Sequence, residues 1–356
     1  MKERAMDGVR SADGSAGKQK NSAAPKAEIG VFETVRSLHA AQRHLVRLVP
    51  NVRTATGGGS PLERLERDME LPHVIDAEGA EDATLRARPV PGAPIPAIRA
   101  FLDGTQRSQV LGWIGAFPLV YGTSGAVVRE RIDRRLGTWR APLVQHRIYA
   151  PLAYVAREEL EGALGGMLED TTRPAPDGTI AAPHPTLLLE RATLAVSRDR
   201  ERLELTLAER WCAERGDDPI MIDGGIGSSE AVAQAACAIG VVKSHRSLYA
   251  EGDALGVVLA LGKGERSSVI RIAPRARSEV LSWYLRLRDT EGRDALWGLV
   301  RVEMCVIDDA KITARADEIS RWLLAESSPL AAPDPRWDRM AYGIRSAEEF
   351  LRATTN

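Results

Sequence analysis

The order in which extended and helical segments follow one another constrains this chain more than any other feature. Three apolar stretches come in quick succession, Ile98–Asp103, Val110–Tyr121 and Ala126–Ile132, with Gly122-Thr123-Ser124-Gly125 placed to turn the last pair into a hairpin. A further extended piece, APLVQHRIYAPLAYV, leads into a helix around Arg157–Leu168. The Pro/Gly loop Asp170–Pro185 and a long helix over Thr186–Arg215 come next, and only then the short apolar strand Pro219–Asp223. After it the spacing predicts a helix over Ser229–Ala238, strands at IGVVKS, SSVIRIA, EVLSWYLRL and WGLVRVEM, and closing helices at Ala310–Ala325, capped by Asp308-Asp309, and Ala347–Ala353. Hairpin strands first and strand–helix–strand units later imply an α/β fold, a mixed sheet with helices packed on it.

The segments divide into three regions. Residues 1–30, charged and rich in Gly, Ser and Ala, read as a disordered tail. Residues 31–90 read as a helical extension and linker. Val31, Val35, Leu38, Leu45 and Leu48 fall at helical spacing, Asn51–Ser60 is a glycine-rich linker, Pro61–Met69 a short charged helix, and Ala77–Pro96 a proline-rich extended stretch. Residues 91–356 form the main domain.

Charge and cysteine usage narrow the function classes. A formal net charge of −1 argues against a surface that binds polyanions everywhere. Between Thr84 and Arg147, however, ten arginines face only Asp103, Glu130 and Asp133, so that segment is near +7. Cys212, Cys237 and Cys305 lie far apart with no CxxC spacing, which favours reduced thiols in a cytoplasm. No apolar run reaches the ~18 residues of a membrane span, and the amino terminus lacks the apolar centre of a secretion signal.

Asp103 and Asp223 each close an apolar strand and are each followed by glycine. A charge at a strand end is costly to desolvate unless paired, and a metal ion is one such partner. The long helix offers Glu201, Glu204 and Glu209, of which Glu204, between Leu203 and Leu205, lies nearest the apolar face. Carboxylates from a strand, a helix and a second strand can hold one or two divalent ions against a phosphodiester. An all-oxygen set of Asp103, Glu204 and Asp223 suits Mn2+ or Mg2+, whereas zinc would want a His or Cys cluster. If the chain acts on a phosphodiester backbone, Arg107, Arg129 and Arg131 of the basic segment would track the phosphates of an entering strand. DGGIGSS lacks the Lys-Ser/Thr ending of a P-loop, which removes nucleotide hydrolysis. Alternation puts one of Trp283 and Tyr284 in the core, and His245 reads as a surface residue.

FLDGTQR, LELTLAERW, IMIDGGI and AIGVVKSHRSLY, followed by EVLSWYLRL and LVRVEM, together resemble the NurA nuclease family over roughly residues 97 to 350. The resemblance implies a ribonuclease H-like core and manganese-dependent 5′ to 3′ exonuclease and endonuclease activity on DNA. It also implies a homodimer working with a HerA-type hexameric ATPase on DNA ends, in repair or phage defence. Asp103 and Asp223 match the family's strand-end metal aspartates, Glu204 its helix glutamate, and Lys243 the lysine after the Gly-Val-Val strand, where it could meet a phosphate. The family closes with a Tyr-Pro segment and an Ala-His pair. This chain has MAYGIRSAEEFLRA, with Tyr342 as a counterpart but Glu348 after Ala347 and no histidine beyond His245. Glu348 can substitute as an oxygen ligand. The alternative is a weak or inactive DNA-end-binding scaffold subunit of the same translocase complex.

Overall fold

The structure of the protein, a computed structural model, describes residues 38–54, 73–75, 77–133, 135–174, 178, 184–273, 277–328, 339 and 341–355. The tail to residue 30, the Val31 and Val35 positions, most of the linker and the expected helix at Pro61–Met69 lie outside the described residues.

Helix α1 (Leu38–Leu48) precedes three long neighbours, β1 (Ala100–Ile114), β2 (Phe117–Ile132) and β3 (Leu143–Ala150), each antiparallel to the next. Helices α2 (Arg157–Leu164) and α3 (Pro185–Glu214) lead to β4 (Ile220–Asp223), which lies parallel to β1 on the side away from β2. The one-turn helix α4 (Glu230–Ala233) then leads to β5 (Ala238–Val242), parallel to β4. After α5 (Asp253–Ala260), strands β6 (Val280–Arg286) and β7 (Leu299–Met304) pair antiparallel, with β7 against β5. Helices α6 (Asp309–Glu326) and α7 (Tyr342–Thr355) close the chain. The strand order is β6-β7-β5-β4-β1-β2-β3, and short strands along it complete one mixed sheet of 14.

Side-chain alternation sends each strand's residues to two different helical layers. Ala100, Leu102, Ala126 and Val128 pack with Leu207, Ala208 and Trp211 of α3. Phe101, Met221 and Val241 point the other way, toward Ile312 and Ile319 of α6 and Ile344 of α7. Val127 packs on Ala347 and Leu351 of α7. The amphipathic α1 lays Leu38, Ala41 and Leu45 on Leu111 and Leu119 near the tip of the β1–β2 hairpin. Among the described residues, no helix is long and apolar enough to cross a membrane.

The hairpin turn is not where glycine content placed it. β1 and β2 are continuous, and the chain reverses at Gly115-Ala116, where Gly115 has φ of +60°. Gly122 and Gly125 lie inside β2 because side chains from β3, α3 and α7 approach closely there. A side chain on Gly122 would strike Tyr149 and Val196, and one on Gly125 would crowd Thr355. Asp103 therefore sits within a strand, paired with Val127, rather than at its end.

The later strands also depart from expectation in detail. SSVIRIA splits into Glu265–Ser267 and Ile270–Ile272, and the final helix starts at Tyr342 rather than Ala347. Trp283 and Tyr284 are both fully buried, because β6 is covered on both faces. The Trp283 indole donates to Ser320 Oγ at 3.0 Å, and the Tyr284 hydroxyl accepts from Tyr249 N at 2.8 Å, so neither ring can stack a base. α5 was not anticipated, while Asp308 caps α6 as expected, accepting from Ala310 N at 3.1 Å.

The contact that seats α7 is glycine on an aromatic ring: any Cβ at Gly343 would enter the ring of Phe101. Gly343→Ala is expected to destabilise the protein by ~1–3 kcal/mol in urea unfolding, the usual cost of overpacking. Gly137→Ala, where the nearest neighbour of a new Cβ is Ile132 Cδ1 at 3.9 Å, is expected to stay within ~0.5 kcal/mol of the wild type.

Candidate metal centre

The site forms where one parallel neighbour stops. β4 pairs with β1 only as far as Ile222 opposite Leu102, so β1 continues past Asp103 without it, and Asp223 ends β4 beside the gap. Asp103 shares the face of Phe101, and Asp223 that of Met221, so both carboxylates turn toward the α6–α7 layer. α7 covers that face with Gly343, Ala347 and Leu351 and brings in Glu348. Carboxylate oxygens of Asp103, Asp223 and Glu348 all lie within 4.8 Å of one another.

Asp103 carries the largest electrostatic cost. It is only 5% exposed; Oδ1 accepts from Gly104 N at 2.8 Å, and the buried Oδ2 has no hydrogen-bond partner. Burial pushes its carboxyl well above the usual range. The Asp223 carboxylate adds to this, the Lys243 ammonium opposes it, and Glu348 and Glu204 push further up. Lys243 Nζ lies 3.0 Å from Asp223 Oδ2, so a single ammonium faces the group from the end of β5.

Glu204 stands behind the strand. On α3, it lies against the backbone of Gly104, where a Cβ would collide with its carboxylate. Its Oε1 accepts from Arg200 Nη1 at 2.7 Å, and Arg200 Nε donates to Gln106 Oε1 at 3.1 Å. Burial raises its pKa to about 7 against the pull of Arg200, with Asp223 and Glu201 adding to the rise. Of the expected set Asp103, Glu204 and Asp223, the structure draws the two aspartates together with Glu348; Glu204 stays outside that cluster, on the α3 side of β1, but lines one cleft with Asp223. Arg200 does not stand out among the basic residues of α3 in the sequence, although its (i, i+4) spacing to Glu204 is the pattern of a helical ion pair.

Two of the three expected phosphate-tracking arginines serve the fold instead. Arg131 donates to both oxygens of Glu326 at 2.7 Å and to Ile98 O at 2.8 Å, and stacks on Phe101. Arg129 donates to Thr138 Oγ1 and Leu136 O and lies over Phe350. Both guanidinium groups are thus spent inside the molecule, whereas Arg107 is exposed. His245 is not a surface residue: Nε2 lies 2.8 Å from Leu299 O, and burial lowers its pKa to about 4, which keeps the ring neutral at pH 7.

The donor set fits a hard divalent cation. Three oxygen donors converge, one of them buried with an unused lone pair, and no His or Cys stands among them. No protein-family model matches the chain, and no curated protein matches it.

Raised folded-state carboxyl pKa values set the sign of the pH dependence. Between the unfolded and folded values the folded state holds more protons, so metal-free stability is lost as pH rises through that window. For Asp103 the window opens near 3.8 and extends well above it. Asp103→Asn removes this contribution, so the metal-free variant is expected to melt above the wild type at about pH 8 and to lose that advantage toward about pH 4. Differential scanning calorimetry checks this; a variant less stable than the wild type at the higher pH contradicts it.

Proposed function

We propose that this protein is a divalent-metal-dependent deoxyribonuclease with a ribonuclease H-like core, a NurA-type enzyme that hydrolyses phosphodiesters at DNA ends. The observation that carries the reading is the buried, unpartnered Asp103 Oδ2 inside a three-carboxylate cluster. The order β3-β2-β1-β4-β5 supports the fold assignment, with β1 to β3 antiparallel and β4 and β5 parallel to β1. That order is the one a ribonuclease H-like reading expects of its central strands. The homodimer, the HerA-type hexameric ATPase partner, the cytoplasmic setting and the role in repair or phage defence follow from the resemblance and from composition.

Asp103, Asp223 and Glu348 would hold Mn2+ or Mg2+. Such an ion polarises a phosphoryl oxygen and lowers the pKa of bound water. The chain's own groups do the rest. Lys243, already against Asp223, puts a positive charge beside the place a phosphate oxygen must occupy. Glu204, with a pKa of about 7, has the acidity of a group that accepts a proton at neutral pH. Exposed Arg107 lies four residues along the same strand from Asp103, within reach of the entering backbone.

The test is cleavage of end-labelled linear DNA with Mn2+. Asp103→Ala and Asp223→Ala are each expected to lower the rate by more than ~100-fold, since outer-shell partners of a metal alone cost 10–100-fold. Glu348→Gln is expected to lower it ~10–100-fold, and Glu349→Gln, whose partner is Arg345 on the exposed face of α7, to leave it unchanged. DNA binding without any cleavage by the wild type would make the chain a DNA-end-binding scaffold instead.

A further inference from the structure

A cleft of about 460 Å³ opens between α3 and the loop after β4, with Glu204 and Asp223 both in its lining. That volume lies within the ~300–1,000 Å³ of small-ligand pockets, the scale of a short run of single strand. Four arginines line it: Arg198, Arg200, Arg202 and Arg277. Two are committed. Arg200 is held by Glu204 and Gln106, and Arg202 Nη1 lies 2.8 Å from Asp199 Oδ1.

Arg198 and Arg277 are different. Both are exposed, and among the described residues neither side chain makes a hydrogen bond or an ion pair. They come from separate walls: Arg198 from α3, and Arg277 from the segment before β6, where its Cβ packs at Gly227 of the loop after β4. A guanidinium with no carboxylate partner keeps its full charge and its planar fork of donors for a phosphate. The cleft also demands such groups. Glu201, Glu204 and Asp223 in its lining repel a phosphodiester, and only cations at the same opening offset them.

We propose that Arg198 and Arg277 clamp a single strand of DNA across this cleft, each on a backbone phosphate, beside Asp223, the member of the carboxylate cluster that lines it. The clamp rests on the nuclease reading and names its substrate as one strand rather than duplex. It reads no base, because both contacts are to the backbone.

The experiment is fluorescence anisotropy of a labelled single-stranded oligonucleotide in EDTA across a salt series, with the full chain. Arg198→Ala/Arg277→Ala is expected to weaken binding tenfold or more. It is also expected to reduce the slope of log K against log salt by about 1.4, at ~0.7 per phosphate contact on a single strand. The matched control Arg43→Ala/Arg47→Ala removes the same charge from α1, which packs at the far hairpin tip, and is expected to keep the wild-type slope. A clamp variant with wild-type affinity and slope overturns the proposal, and so does an equal loss in both pairs. If the wild type cleaves DNA, that failure is the clamp's alone; if the wild type neither binds nor cleaves, the nuclease reading falls with it.

Discussion

A carboxylate oxygen enclosed by protein with nothing to accept from is a debt of free energy, and in this molecule Asp103 Oδ2 is that atom. Like charges make its position worse, since Asp223 and Glu348 approach within 4.8 Å and Lys243 supplies one positive charge against the three. Much of the surrounding architecture exists to hold it there. The pairing of β4 with β1 stops at Leu102, one residue before Asp103, Gly104 carries no side chain so that Glu204 can stand behind, and Gly343 lets α7 settle on Phe101. A hard cation is the partner that would make the arrangement favourable.

The cationic residues divide by the same logic. Where an arginine meets a buried acid or a run of carbonyl oxygens it becomes part of the frame, as Arg131 does on Glu326 and Arg266 on Glu81 and Asp317. Such pairs leave no charge for a ligand. Arginines at the cleft without an acid partner, Arg198 and Arg277, are the ones whose charge faces outward. Counting basic residues along the chain does not separate the two classes, because the acids that pair with them come from distant segments.

Much of the fold was legible in the sequence, for identifiable reasons. The long helix α3 and the strand β4 were readable because apolar periodicity changes abruptly between them, and Asp308 was readable as a cap. The glycines of β2 misled, since packing against Tyr149 and Leu351 uses the same residue type as a turn. The aspartates were legible as a pair because each follows an apolar run, although Asp103 lies inside its strand. Glu348 was reached only through the resemblance, as the residue standing where the family has a histidine; its side chain is 14% exposed against 62% for Glu349. What sequence could not show was which face of β1 each acid would meet, and so that Glu204 and Glu348 lie on opposite sides of one strand.

The central claim is that Asp103, Asp223 and Glu348 form a cation site. Anomalous diffraction at the manganese edge from crystals grown with Mn2+ tests it most directly. The account expects a peak bonded to Asp103 Oδ2 and to oxygens of Asp223 and Glu348, at the short metal–oxygen distances of a hard divalent ion. An empty cluster at millimolar Mn2+, with Lys243 still seated on Asp223 as the only cation, would contradict it.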